Sequence, residues 1–163
     1  MSQLRGESVN MNNENREAIT IHTRDFGDQE VFLDEIIVFP KGLFAFENAK
    51  RFALLSPLGD ENSPMWLQNV DEIAPCFIVF KPVELFESYS PEIDEEDLAV
   101  IKLEDGEEIE YLSIAVIPED YKKTTINLKS PIIINRNKRI AVQAILQQNY
   151  ELKFPIYKTI EEA

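Results

Sequence analysis

The chain has 163 residues, 44% of them hydrophobic, with a formal net charge of −14 at pH 7 and a pI near 4.5. That length and apolar content fit one globular domain and exclude wholesale disorder. The negative charge opposes docking on nucleic acid or on an anionic membrane, and it favours basic protein partners.

A single cysteine, Cys76, excludes an internal disulfide framework and points to a reducing compartment. The first residues, with Glu7, Asn10, Asn12 and Asn13, contain no apolar stretch of the kind a secretory signal needs. No apolar run approaches the roughly 18 residues of a membrane span. The expected setting is the cytoplasm.

Residues 1–17 are polar and aperiodic, and a disordered leader is expected there. From Ala18 to Arg24, Ile19, Ile21 and Thr23 alternate with Thr20 and His22, the period of a half-buried strand. Gly27 marks a turn, and Glu30 to Leu33 forms the returning strand, with a bend at Asp34-Glu35 where the apolar face shifts. Ile36 to Phe39 is a β-branched run suited to a buried strand, and Pro40 and Gly42 fit the second and fourth positions of a type I turn. Leu43, Phe44 and Phe46 are then expected to return to the interior, making a core corner. Strands follow at Arg51 to Leu55, Pro64 to Val70 and Cys76 to Lys81, the first two separated by the acidic loop Gly59-Asp60-Glu61-Asn62. The third is apolar on both faces and is expected in the middle of a sheet.

Tyr89-Ser90-Pro91 interrupts the strand pattern. Asp94 can cap a helix over about 94–103, whose first turn holds Glu95, Glu96 and Asp97. Leu98 and Ile101 would share its buried face, and Gly106 follows its end. Further strands are expected at Glu110 to Ile117, Thr125 to Lys129, Ile132 to Ile134, Ile140 to Leu146 and Tyr150 to Tyr157. Asn135-Arg136-Asn137-Lys138 supplies the turn of a hairpin, and residues 158–163 are expected to fray. Nine or ten short strands and one short helix predict a mainly β fold: a compact, antiparallel, barrel-like single domain over residues 18–157.

Catalytic chemistry is poorly supplied. His22 reads as solvated, and Cys76 lies in an apolar strand where a thiol is inert. The five glycines are scattered, so no phosphate loop is present, and the acidic run at 94–97 lacks calcium-loop spacing. No cofactor or metal site is expected. The basic residues Lys122, Lys123, Arg136, Lys138 and Arg139 read as solvated turns. From Glu84 to Asp120, by contrast, Lys102 is the lone cation. Helix capping accounts for only part of that acidity; the rest reads either as a solubilising face or as a negative field that steers a basic partner. Its carriers would include Glu104, Asp105, Glu107, Glu108 and Glu110. Asn127 and Lys129, alternating with Ile126 and Leu128, are the further candidates for partner contact.

Five segments in order, FPKGLFAFE (39–47), RFALL (51–55), WLQNVDE (66–72), FIVFKP (77–82) and NLKSPIIIN (127–135), resemble the flagellar assembly factor FliW family over nearly the whole chain. One departure is Ala45, where that family's corner calls for glycine. The resemblance implies a small β-barrel-like protein without catalysis. It also implies binding to flagellin in the bacterial cytoplasm and to CsrA, the RNA-binding carbon storage regulator that represses flagellin translation. The implied logic is a partner switch: export of flagellin frees the factor to capture CsrA and relieve the repression. No direct nucleic-acid contact and no membrane contact are implied. The reading from another class is a small acidic β-barrel hydrolase or lyase, using a carboxylate pair that the sequence does not single out.

Overall fold

The computed structural model describes residues 16–60 and 63–157. Most of the expected leader, the tail 158–163 and Glu61-Asn62 of the acidic loop lie outside the described residues. Arg16 and Glu17, which the sequence reading assigns to the leader, are tied to the fold. The Arg16 guanidinium donates to Asp34 and Glu35 at 2.7 Å and lies 3.9 Å over the Phe32 ring, and Glu17 O accepts from Leu33 N.

The chain opens with an antiparallel hairpin of β1 (Ala18–Thr23) and β2 (Gly27–Phe32). Gly27 supplies the left-handed residue of its turn, at φ 67°. Thr23 Oγ1 accepts from Phe26 N and donates to Gly27 O, so one hydroxyl holds both ends of that turn. Ile21 and Thr23 are buried while His22 is exposed, as the alternation requires. The bend at Asp34-Glu35 is one 3-10 turn over Leu33–Glu35.

The remaining strands are β3 (Ile37–Val38), β4 (Arg51–Leu55), β5 (Met65–Asn69), β6 (Cys76–Phe80), β7 (Ile109–Val116), β8 (Thr125–Ile126), β9 (Ile132–Asn135), β10 (Ile140–Gln143) and β11 (Phe154–Pro155). They pair in the order β3-β4-β5-β6-β7, and β7 then pairs with β9, β9 with β10, and β10 with β3, which closes a ring. Every ladder but one is antiparallel. The exception is β3 against β10, parallel through Ile140 and Val38, so the sheet is mixed. β7 is long enough to serve two neighbours along one edge: residues 109–112 pair with β9, and Ala115-Val116 with β8, which carries β11. Closure leaves few free edges, the usual solution for a small all-β chain.

Ile37, Phe39, Phe52, Leu67, Val79, Leu112, Ile132 and Ile134 fill the ring, with Phe39 and Phe52 edge to face at 5.1 Å. β9 is apolar on both faces for a reason. Ile132 and Ile134 point into this core, and Ile133, between them, points outward against the helix that follows Asp94. A second cluster of Phe80, Tyr89, Ile126, Leu128 and Leu146, joined by Phe86, Tyr150 and Phe154, fills the end near β8.

Two short helices are present among the described residues. α1 (Pro82–Leu85) is one turn begun by proline at its first position, which the strand-breaking pattern had left unassigned. α2 (Glu95–Val100) is capped as expected, with Asp94 Oδ1 accepting from Asp97 N at 3.0 Å. It is shorter than 94–103 because Lys102, rather than a glycine, takes the left-handed conformation (φ 56°) while Leu103 N donates back to Leu98 O. The Tyr150 to Tyr157 strand shrinks to Phe154–Pro155, and Leu152 is exposed.

The corner after β3 is built as read, with Gly42 N donating to Phe39 O across the turn. Leu43 is buried, but Phe44 and Phe46 remain 48% and 43% exposed. The expectation that all three return to the core is corrected: Leu43 and Phe46 close a second tight loop through both of their backbone hydrogen bonds. That loop turns the Phe44 side chain outward and lays Phe46 edge-on against Phe77 at 5.4 Å.

A candidate partner-binding face

The helix α2 lies on β10 through Leu98 and Ile101, which pack with Ile133 and Val142. This places the helix start beside the corner loop. Gln143 of β10 holds the corner loop against the sheet, because its Oε1 accepts from Phe44 N and its Nε2 donates to Ser130 O. Between them is an open groove of about 520 Å³, lined among others by Lys41, Phe44, Glu47, Asp94, Asp97 and Ile145. Phe44 and Ile145, the latter 58% exposed, supply its apolar surface. No ion pair holds Glu47, Asp94 or Asp97 among the described residues. Burial raises the carboxyl of Asp97 above its ordinary value, and its neighbour Asp94 pushes the same way.

Past the end of α2 the acidic run is held differently. Glu107 Oε1 accepts from the Asn135 amide and from Glu104 N, both at 3.0 Å, and from Lys138 Nζ at 3.2 Å. Those hydrogen bonds, Asn135's first, hold the Glu107 carboxyl below the usual range. Lys138 also pairs with Glu104 and Arg136 with Glu108. Glu110 sits 3.8 Å from Lys81, both partly buried. Glu104, Asp105 and Glu108 are therefore the exposed members of the sequence-derived set, and Glu107 and Glu110 support the fold. The basic turn expected to be merely solvated is the counter-charge of this loop. Its Arg139 takes the left-handed position (φ 58°), and Asn135 caps the turn from within.

Asn127 and Lys129 are half-buried and occupied. Asn127 Oδ1 accepts from Lys129 N and Ser130 N, and Lys129 Nζ donates to Gln148 O. His22 is exposed and 2.6 Å from Asp28. Cys76 is buried, which raises its thiol above the ordinary value and keeps it protonated. Asp94 and Asp97 share the groove with Glu47, and Asp94 is committed to the helix cap. Among the described residues no group of three His, Cys, Asp or Glu side chains is placed to hold a metal ion, and no helix is long and apolar enough to cross a membrane.

The sequence reading missed Phe44, Glu47 and Ile145. The signal was present: Ile145 lies between buried Ala144 and Leu146, and Phe44 follows buried Leu43, so alternation alone puts both outside.

Comparison with known proteins settles the kinship. The family model described as FliW protein matches residues 20–156, the ring and all but the first two residues of its hairpin. The chain belongs to the FliW family. Among relatives named flagellar assembly factor FliW, that of Natranaerobius thermophilus is 39% identical over 135 residues, covering 81% of this chain and 88% of the relative. The FliW of Bacillus subtilis is 32% identical over 137 residues, covering 83% and 95%. A crystal structure of the flagellar assembly factor FliW superposes with a TM-score of 0.78 at 29% identity, covering 85% of this chain and 97% of the other. The ring with its flanking hairpin is thus the FliW fold.

Proposed function

We propose that this chain is a non-enzymatic cytoplasmic factor that holds flagellin before export and, once freed, binds CsrA to relieve repression of flagellin synthesis. The observation that carries the reading is the match to flagellar assembly factors across residues 20–156. The charge distribution supports it. A net charge of −14 repels RNA and draws basic protein surfaces, so the factor docked beside the regulator's RNA site displaces RNA without occupying that site. Glu104, Asp105 and Glu108 form the outer edge of the steering field, and Glu107 and Glu110 fix the loop that displays them. Asn127 and Lys129 order the neighbouring segment, and contact through them is confined to their half-exposed edges.

Calorimetric titration with purified flagellin and, separately, CsrA tests this reading at low and moderate salt. Submicromolar binding to either partner, with loss of one in the presence of the other, is the expected result. Absence of binding to both overturns it.

A further inference from the structure

Negative charge on this surface is of two kinds. Beyond α2 the carboxylates of Glu104, Glu107 and Glu108 already have Lys138 or Arg136 within 3.4 Å. In the groove at the start of α2, Glu47, Asp94 and Asp97 face one lysine, Lys41, and none of them forms an ion pair among the described residues. Carboxylates that no ion pair holds, beside two exposed apolar side chains, Phe44 and Ile145, leave charge and apolar surface open to a partner.

We propose that this groove is the docking site for a basic amphipathic segment of a partner protein, its apolar side chains on Phe44 and Ile145 and its lysine or arginine side chains against Asp94, Asp97 and Glu47. The inference rests on the partner-holding reading above for who supplies the segment. Charge complementarity selects the occupant. A second copy of this chain would bring its own −14 to a groove already rich in carboxylates, so self-association is opposed. A groove of about 520 Å³ is of a size to take a few side chains, which suits a segment better than a globular face. The site is also pre-organised: Gln143 fixes the backbone at Phe44, the Asp94 cap fixes the helix start, and Glu47 Oε2 accepts from Ala45 N. Little ordering cost then remains on this side of the contact.

The test uses the full chain and two kinds of probe: a synthetic amphipathic peptide with leucines on one face and lysines on the other, and purified flagellin and CsrA. Two double variants report on the groove. Asp94→Asn with Asp97→Asn removes two of its three carboxylate charges and keeps a capping side chain, and Phe44→Ser with Ile145→Ser removes its apolar surface. Glu30→Gln with Glu151→Gln makes the same charge change on exposed residues elsewhere. Thermal melting checks that all three remain folded.

Each groove variant is expected to weaken peptide binding at least tenfold, with the salt dependence flattened only in the charge variant and the control within twofold of the parent chain. No peptide binding by the parent chain, groove variants that bind as the parent does, or a control that loses as much as the charge variant would each overturn the groove. If the peptide docks through the groove while neither flagellin nor CsrA binds, the partner reading fails and the groove stands. If a natural partner binds and is indifferent to both groove variants, the groove fails and the partner reading stands.

Discussion

The indole N–H of Trp66 donates to the carboxylate of Asp25 at 2.9 Å, and Phe26 meets the Trp66 ring edge to face at 5.0 Å. Trp66 belongs to β5 of the ring, and Asp25 and Phe26 form the tip of the β1–β2 hairpin. Arg24 completes the clamp, donating from its backbone to Gln68 and from its side chain to Cys76 O. The two-stranded sheet shares no ladder with the ring, so this clamp and the burial of Ile21 and Thr23 fix its position. Replacing Asp25 with alanine should cost about 1 kcal/mol, the net worth of a charge-assisted hydrogen bond at a partly exposed site. Trp66 is the only tryptophan, so its fluorescence reports on the clamp alone. Arg24, and after it Trp66, lower the Asp25 carboxyl below its ordinary value. That stability is present above the unfolded-state value and is lost as pH falls through the lowered one. An Asp25→Ala chain whose emission and acid unfolding match the parent would refute the clamp.

Ala45 holds φ at 71°, a conformation that costs an L-residue about 1 kcal/mol. Ala45→Gly should therefore raise stability by about 1 kcal/mol, seen as a melting temperature higher by roughly 2–4 °C. The neighbouring Gly42 has no such latitude, since a Cβ there would lie 2.5 Å from Glu47 O. Gly42→Ala should cost about 3 kcal/mol by forcing the two loops of the corner apart. Opposite signs three residues apart, read by thermal melting, are the signature of this backbone.

Asn135 is fully buried at the end of β9 and uses its whole amide. Its Nδ2 donates to Ile101 O and Glu107 Oε1, and its Oδ1 accepts from Asn137 N and Lys138 N. Asn135→Ala leaves a buried carbonyl and two turn N–H groups without partners, at a cost of about 3 kcal/mol. Because the side chain ties α2, the acidic loop and the β9–β10 turn together, hydrogen exchange should quicken in all three. Loosening confined to the turn would show that the amide is a local cap only.

Most of this architecture was legible because period-2 burial writes itself into sequence. β1, β4, β5, β6 and β7 stand where alternation or a continuous apolar run puts them, and the Asp94 cap and the Pro40–Gly42 turn follow from local chemistry. What was not legible is non-local. The parallel contact of Ile140 with Val38 joins residues about a hundred positions apart and leaves no local signature. The pairing of Glu104, Glu107 and Glu108 with Lys138 and Arg136 likewise needs β9 and β10 to bring the turn beside the loop. A charge run reads as a solvated field until its counter-ions are placed. Phe44 and Phe46 defy their hydrophobicity because the tight Leu43–Phe46 loop turns both away from the core.

The steering field then has a definite expectation. Reversing Glu104, Asp105 and Glu108 to lysine should slow association with a basic partner several-fold at low salt and leave dissociation nearly unchanged, since these side chains are exposed and screened. Stopped-flow association across a salt series reads this directly. Equal effects on association and dissociation would place these side chains inside the contact itself.

Asp97 makes the surface sensitive to pH. Its carboxyl is raised by burial first and then by Asp94, with Glu96 adding to the effect and Lys41 opposing it. Leu98 and Ile101 turn the apolar side of α2 toward Ile133 and Val142 of the sheet, so that side brings no further charge. A carboxyl with a raised folded-state value takes up its proton in the folded chain before the unfolded one. The folded state therefore carries a penalty above the raised value, and the penalty fades as pH falls toward the ordinary carboxylate range. Asp97→Asn should consequently stabilise the chain at pH 7 and lose that advantage in acid. Partner binding should move the other way. Protonating Asp97 removes a charge from the groove, so affinity for a lysine-bearing segment should fall over the same interval in the parent chain and stay flatter in Asp97→Asn. Melting curves and titrations at matched pH separate the two trends, and parallel behaviour of parent and variant in both would show that Asp97 titrates as an ordinary surface carboxylate.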